Sequence, residues 1–383
     1  MRTVAIAGVG WSEITRHSDG YEGDLALDAS IEAMRDAGLS AGDVDGIVTH
    51  PGTKDHSVGP WYVATGLGLR ELRWWSDVGG GPGAMAGLFA AVAAVKAGFA
   101  DTVLHFRAIK RPTHRGAGAI VPSDDQPDDW SFKVPYGGIS AAQWLGLWAR
   151  HHMERFGTTY EQLGAVAVQT RAHACRNPRA VMQEPLDLEG YLASPWVSDP
   201  FRLLDCDVPV SGAAAVVVTT LDKARTLSSH PVRVEAMSCA PGPIPDWDQF
   251  DDYRWMAAKY AAADMWKQAP QLGPADVDVC ELYDGFTFLT ISWLEALGFC
   301  GLGEGGSFVE DGRIGPGGQL PTNTHGGNLS EGRLHGMGHI AEAVSQLQWS
   351  AAERQVPGAR VAVVSGGGGP LAGALLLRRD EGD

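Results

Sequence analysis

Cysteine is scarce and poorly placed for cross-links: five residues, at 175, 206, 239, 280 and 300, an odd number with no CxxC spacing. Neither a disulfide framework nor a zinc site is indicated by that pattern. Long apolar runs are missing too, and none reaches the roughly 18 residues of a membrane span. The opening MRTVAIAGVG begins a strand directly, without the layout of a signal peptide, so a cytoplasmic location without membrane contact is expected. Positive charge is in deficit, 30 Lys and Arg against 46 Asp and Glu, for a net charge of −16. That balance argues against nucleic-acid binding, which needs clustered cations. A polyanionic ligand would have to use a local cluster such as RAIKRPTHR, 107–115. The last absence is the sharpest. The turn Gly79-Gly80-Gly81-Pro82-Gly83 feeds an alanine-rich helix, a natural seat for an anion or a reactive group, yet holds no serine, cysteine or lysine.

What is present suits a large α/β protein. The 383 residues suffice for two core-forming units or one large body, with 44% apolar and 20% charged residues. Fifty glycines gather in GGGPG, GPGG, HGGN and SGGGGP, which signals tight loops and no fibrous repeat. TVAIAGVG, VAVVSGG and AAAVVVTT are short β-branched runs suited to strands covered on both faces. LALDASIEAMRDAGL has helical apolar spacing and stops at Gly38 in the manner of a C-cap.

An internal echo organises these pieces. AMRDAGLSAGDVDGIVTH and MWKQAPQLGPADVDVCELYDG each read as helix, turn and strand, with the same DVD at 43–45 and 276–278, 233 positions apart. Each half goes on to a glycine-rich turn, an amphipathic helix and a further buried strand. The expectation is an α/β fold of two duplicated units, 1–228 and 229–383, meeting at TLSSHPVRV. The polar, turn-rich and Trp-bearing stretch 107–169 is expected as a cap over the site.

Four glycine loops fall where open α/β sheets hold ligands: 79–84, ELYDGFT at 281–287, NTHGGNLSEGRLHGMGH at 323–339, and SGGGGP at 365–370. Glycine lets backbone amides approach and face a ligand, so Gly81, Gly326, Gly327 and Gly367 are expected to line it. Thirteen tryptophans, several in WW at 74–75, WLGLW and DWDQFDDYRWM, suit a broad apolar acyl group or ordinary core packing.

HHMERFGTTYEQLGAVAVQTRAHACRNPRA, FRLLDCDVPVSGAAAVVV and GFADTVLHFRA resemble, in order and over nearly the whole chain, the sterol-carrier-protein-x and lipid-transfer-protein branch of the thiolase superfamily. That resemblance implies a five-layered αβαβα body of two βαβαβαββ halves, commonly a homodimer, acting on coenzyme A thioesters. The departures carry the chemistry. The family's nucleophilic cysteine falls on Gly81, its NEAF or HDCF loop on YDGF with Tyr283 first, its GHP histidine on Arg333, and its second cysteine on Ser365. Without a thiolate there is no ready acyl-enzyme.

A retro-aldol cleavage needs none. It requires a base near a β-hydroxyl, donors around the thioester oxygen, and an acid for the α-carbon. YDGF and the Cys-less turn resemble the thiolase-type aldolases of bacterial steroid side-chain degradation. This implies a C17 ketosteroid and propionyl-CoA as products and a small DUF35-type partner, an OB-fold joined to a zinc ribbon. No cofactor is expected in this chain, and any zinc is expected in the partner.

By these readings Tyr283 is the acid/base group, or a core tyrosine closing a strand. Asp284 orients its loop or simply begins a turn. His335 and His339, four apart, would share a helix face; no third ligand accompanies them, so no metal is expected. His335 serves as proton shuttle or oxyanion donor, or is structural. Arg333 pairs with a phosphate or with Glu331, and Ser365 donates a hydrogen bond or is a plain turn residue. His325 is a weaker candidate, Cys280 is read as inert packing, and the pair His151-His152 as surface. The steroid aldolases are expected to use a second tyrosine, and GRLHGMGH contains none. Two other activities stay open: a noncatalytic scaffold subunit, and an acyltransferase using a different nucleophile.

Overall fold

The repeated DVD tripeptide shows how the sequence builds its elements. In each copy the first aspartate closes a short 3-10 turn, Ala41–Asp43 or Pro274–Asp276. Its carboxylate accepts the backbone amide three residues back, Ser40 in one copy and Gly273 in the other, both at 2.9 Å. The last aspartate accepts two amides that open a neighbouring strand: Asp101 and Thr102 onto Asp45, Arg360 and Val361 onto Asp278, at 2.8 to 3.1 Å. Sequence repetition is thus a repeated hydrogen-bond device that fixes where two parallel strands begin.

The structure is a computed structural model describing residues 2–18, 20–50, 58–79, 82–111, 133–227, 230–243 and 256–382. Its first half runs β1 (Val4–Trp11), α1 (Glu22–Asp36), β2 (Gly46–Thr49), α2 (Pro60–Leu67), β3 (Trp74–Asp77), α3 (Ala84–Ala97) and β4 (Thr102–Ile109). Helices α4 (Ala141–Phe156), α5 (Tyr160–Ala174) and α6 (Leu188–Leu192) and a hairpin of β5 (Trp196–Ser198) and β6 (Phe201–Arg202) precede β7 (Gly212–Thr220) and α7 (Leu221–Leu227). The rest is β8 (Val232–Pro241), α8 (Ala257–Gln268), β9 (Val279–Glu281), α9 (Thr287–Ala296), α10 (Gly305–Phe308), α11 (Met337–Gln348), β10 (Val361–Gly367) and β11 (Leu371–Arg379).

Nine strands form one mixed sheet in the order β3-β2-β4-β7-β1-β8-β11-β10-β9. Counted outward from the β1–β8 junction, both sides follow one plan. Strand β7 answers to β11, β4 to β10 and β2 to β9, and the parallel bridge Cys280–Thr322 stands where β3 would be. Period-two alternation splits each strand between two cores. Ala213, Ala215 and Val217 of β7 face α1 and α2, whereas Ala214, Val216 and Val218 face a central layer of α3 and α11. On the other side Ala372, Ala374 and Leu376 of β11 pack with α8 and α9, whereas Leu375 and Leu377 join the same central layer. Three cores and two sheet halves make the layers αβαβα.

The expected unit boundary at 228/229 lies outside the described residues, as does 112–132 of the expected cap. Arg107 to Ile109 are no insertion; they are the last residues of β4, paired with Ala214 to Gly212. His151-His152 is not a surface pair. His152 is fully buried, its Nε2 3.0 Å from Glu295 Oε1 and its Nδ1 2.9 Å from Thr158 Oγ1. Gly38, φ 68°, ends α1 as expected, with Leu39 N donating to Met34 O. No helix among the described residues is long and apolar enough to cross a membrane.

Candidate active site

The site gathers at the C-terminal ends of β2, β4, β9 and β10, with the N-termini of α3 and α11 between them. Tyr283 leaves β9 on a loop held by the neighbouring strand: its amide donates 2.9 Å to Ser365 Oγ, fully buried in β10. Ser365 therefore acts on the backbone of Tyr283. The phenol is half-buried, with its ring against the open face of Gly336, φ 90°. Burial and the neighbouring Asp207 raise its pKa well above the usual phenol value, against the pull of Arg333 and Arg107. Tyr283 holds its proton at neutral pH.

Asp284 is fully buried and saturated with donors. Its Oδ1 accepts Asn328 N at 2.8 Å and His339 Nε2 at 3.0 Å, and Oδ2 accepts Leu329 N at 3.4 Å. It ties the 327–331 turn to the first turn of α11, where His339 lies buried beside His325, ring centroids 4.7 Å apart. His335 shares no helix face with it. His335 precedes the helix at φ 53°, and Gly336 caps α11 between them.

Two glycines expected to line the ligand do another job. A Cβ on Gly326 would strike Ala174, and one on Gly327 would overlap the Asp284 carboxylate. Gly367, φ 65°, packs on Pro82 and Leu371 and gives its carbonyl to Trp293 Nε1 at 2.9 Å. Gly81 lies outside the described residues, as does all of DWDQFDDYRWM except Met256. Of the other tryptophans, Trp148 and Trp293 are core residues, while Trp75 stays half exposed against Trp61. Arg333 pairs with Asp207 at 3.5 Å, not with Glu331, and its Nε is buried without a partner. Glu331 joins His325, Asn177 and Arg179 in a separate buried network.

Sequence reasoning missed two residues. Arg107, fully buried at the end of β4, donates from Nη1 to His50 O at 2.6 Å and from Nη2 to His335 Nδ1 at 3.0 Å. A guanidinium can only donate, and though burial lowers its pKa to about 10 it remains charged at neutral pH. The lone pair of His335 is thus on Nδ1 and its proton on Nε2. Burial and the positive neighbours Arg107 and Arg333 push its pKa far down, so His335 is a neutral hydrogen-bond donor. His50 is the reverse tautomer. Its Nδ1 lies 2.7 Å from Val78 O, which can only accept, so Nδ1 carries the hydrogen and Nε2 the lone pair. Burial and Arg107 keep it neutral as well. The repeat held the signal for His50: it stands 233 positions before Tyr283, the same offset as the two DVD copies.

Burial raises the thiol pKa of Cys206 and Cys280, and lifts Cys239 and Cys300 to about 12. Among the described residues no three His, Cys, Asp or Glu side chains gather as metal ligands. A cavity of about 790 Å³ opens at the far ends of β1, β4 and β7, lined by Arg2, Asp101, Lys223 and Arg233. Arg2 pairs there with Asp101 and Arg233 with Glu235, and the cavity holds none of the groups above.

These layers define a thiolase-fold protein, with Tyr283, His335, Arg107 and His50 gathered at one end of its strands. Residues 245–377 match the thiolase C-terminal domain-like family. The chain is 37% identical over 388 residues to the 17-hydroxy-3-oxo-4-pregnene-20-carboxyl-CoA lyase of Mycobacterium tuberculosis, covering 97% of this chain and 98% of that protein. It is 36% identical over 392 residues to the steroid side-chain-cleaving aldolase of Thermomonospora curvata, covering 97% of each. A solved structure described as Ltp2-ChsH2(DUF35) aldolase matches with a TM-score of 0.90 and 34% identity, over 100% of this chain and 99% of that one. The chain belongs to the steroid side-chain-cleaving aldolases of thiolase fold, which are carbon–carbon lyases.

Proposed function

We propose that this chain cleaves a steroid C17 side-chain β-hydroxyacyl-CoA by a retro-aldol reaction, releasing a 17-ketosteroid and propionyl-CoA. The observation that carries the reading is a half-buried, protonated phenol packed on Gly336, next to a neutral Nε2–H imidazole at His335, in a sequence with Gly81 where the resemblance puts the nucleophilic cysteine. The hydroxyl proton departs, the Cα–Cβ bond breaks, and its electron pair passes into the thioester enolate. His335 Nε2–H stabilises the oxygen on which that charge collects. Tyr283 delivers a proton to the α-carbon, which completes propionyl-CoA. Ser365, fully buried and accepting the Tyr283 amide, is poorly placed as a substitute acyl nucleophile, which disfavours the acyltransferase alternative.

The description of the Ltp2-ChsH2(DUF35) complex supports a DUF35-type OB-fold/zinc-ribbon partner, and we extend that to this chain. A homodimer core, a cytoplasmic location, two units divided near 228/229, and zinc only in the partner complete the proposal. The test supplies a 17-hydroxy steroid β-hydroxyacyl-CoA to the chain with that partner and follows both products by mass spectrometry. Tyr283→Phe is expected to lose about 10²- to 10⁴-fold in kcat with the fold intact. Normal turnover by that variant would remove Tyr283 from the chemistry.

A further inference from the structure

A protonated Tyr283 leaves half of the reaction unassigned, because some other group must take the β-hydroxyl proton. A base needs a lone pair that is both unpaired and within reach of substrate, and most neighbours lack one or the other. His335 gives its Nδ1 lone pair to Arg107. The Asp284 carboxylate is fully buried and already accepts two amides and His339. His339 donates to Asp284 through Nε2, and its Nδ1, though without a partner among the described residues, is fully buried and out of a substrate's reach. Asp207 faces the Arg333 guanidinium, and an ion-paired carboxylate is a weak base.

His50 differs from all of these. Its tautomer is fixed by Val78 O with the lone pair on Nε2, and that atom has no partner among the described residues. Its place is equally telling. By the repeat, β2 answers to β9, so His50 leaves its strand where Tyr283 leaves the matching one. The residues between them form a continuous row. The Tyr283 ring lies on Gly336, and His335 beside it accepts from Arg107, which also holds the His50 carbonyl. The imidazole reaches Val78, one residue before the Gly79 turn that leads into α3.

We infer that His50 is the catalytic base, with Nε2 accepting the β-hydroxyl proton while Tyr283, its counterpart in the other half of the fold, protonates the α-carbon. The step balances without a co-reactant. The O–H bond breaks to His50, the carbonyl forms as Cα–Cβ breaks, and a C–H bond forms from Tyr283. The imidazolium then returns its proton to the phenolate, restoring both groups. Arg107 is the positioning residue, setting His335 as donor and anchoring the strand end that carries His50.

This inference rests on the retro-aldol reading, and the wild-type chain separates the two, since cleavage by the wild type supports that reading whatever His50 does. His50→Gln keeps an amide N–H for Val78 O but has no basic nitrogen. In the complex with its partner, it is expected to lose about 10²- to 10³-fold in kcat for cleavage, with KM little changed. His50→Ala should lose as much and regain part of its kcat with added imidazole, which a merely structural loss would not do. Unchanged partner binding and urea midpoints show that both variants are folded. Cleavage at the wild-type rate by His50→Gln would overturn the assignment, as would a loss in His50→Ala that imidazole leaves untouched. A wild-type complex that leaves the substrate intact would overturn the retro-aldol reading as well.

Discussion

At the scale of single residues, the site depends on how closely backbone can approach side chain. Gly327 lets the turn close over Asp284, because any Cβ there would overlap the carboxylate and φ is 55°. Gly327→Ala should therefore add backbone strain of about 1–3 kcal/mol and also displace the oxygen that holds His339. Gly358, φ 76° with nothing near its Cβ position, supplies the comparison, and Gly358→Ala should cost only about 1 kcal/mol. Urea midpoints of the two variants check the difference, and equal losses would mean that the Asp284 contact is unimportant. Tyr283, Asp284 and His339 were legible because they sit in glycine-flanked motifs. Arg107 was not, since it opens the basic run RAIKRPTHR, and nothing local says that its guanidinium is buried and turned toward two histidines. Gly326 and Gly327 misled for a related reason: glycine marks close approach without saying whether a ligand or the chain itself approaches.

At the scale of elements, the two DVD turns are one device used twice, and their energetics should match. Asp278→Ala leaves the amides of Arg360 and Val361 without their acceptor, at a cost of about 1–3 kcal/mol. Asp45→Ala should cost at least as much, since Asp45 also holds Arg73 at 2.6 Å. The sites lie in different halves, so the double variant should show the sum within about 0.5 kcal/mol. Chemical denaturation of the three variants measures this, and a large non-additive term would mean that the halves do not unfold independently of these turns. The duplication was readable because tripeptide, helix and strand recur in order. The end of β4 was not, because Arg107 and Lys110 make its last turn look like the start of a polar insertion, although Arg107 is buried under His50 and His335.

At the scale of the whole molecule, buried histidines of opposite kinds set a stability optimum. His105, bonded to the Val48 and Ala84 carbonyls, and His173, bonded to that of Ile314, are pushed by burial down to about 4. The unfolded chain takes up protons at the ordinary histidine value of about 6.5, before these sites do, so their contribution is complete above that pH and is lost as pH falls toward 4. His325 has the opposite sign. Burial opposes its charge, but Glu331 and Glu281 outweigh it and raise its pKa to about 9, with Nδ1 2.8 Å from Glu281 Oε2. Its contribution is complete below about 6.5 and is lost as pH rises toward 9. Glu342, held well below the carboxylate range by Arg354 despite burial, adds a further loss only at more acid pH. Stability should therefore peak near pH 6.5 and fall on either side, by about 1.4 kcal/mol per pH unit for each proton linked. Urea midpoints between pH 4 and 9 test this. His325→Gln should flatten the alkaline limb and leave the acid limb, because the imidazole whose proton is lost there is gone. An alkaline limb unchanged in that variant would assign the loss to groups outside the network that braces α11 against β9, and with it the first turn that carries His339.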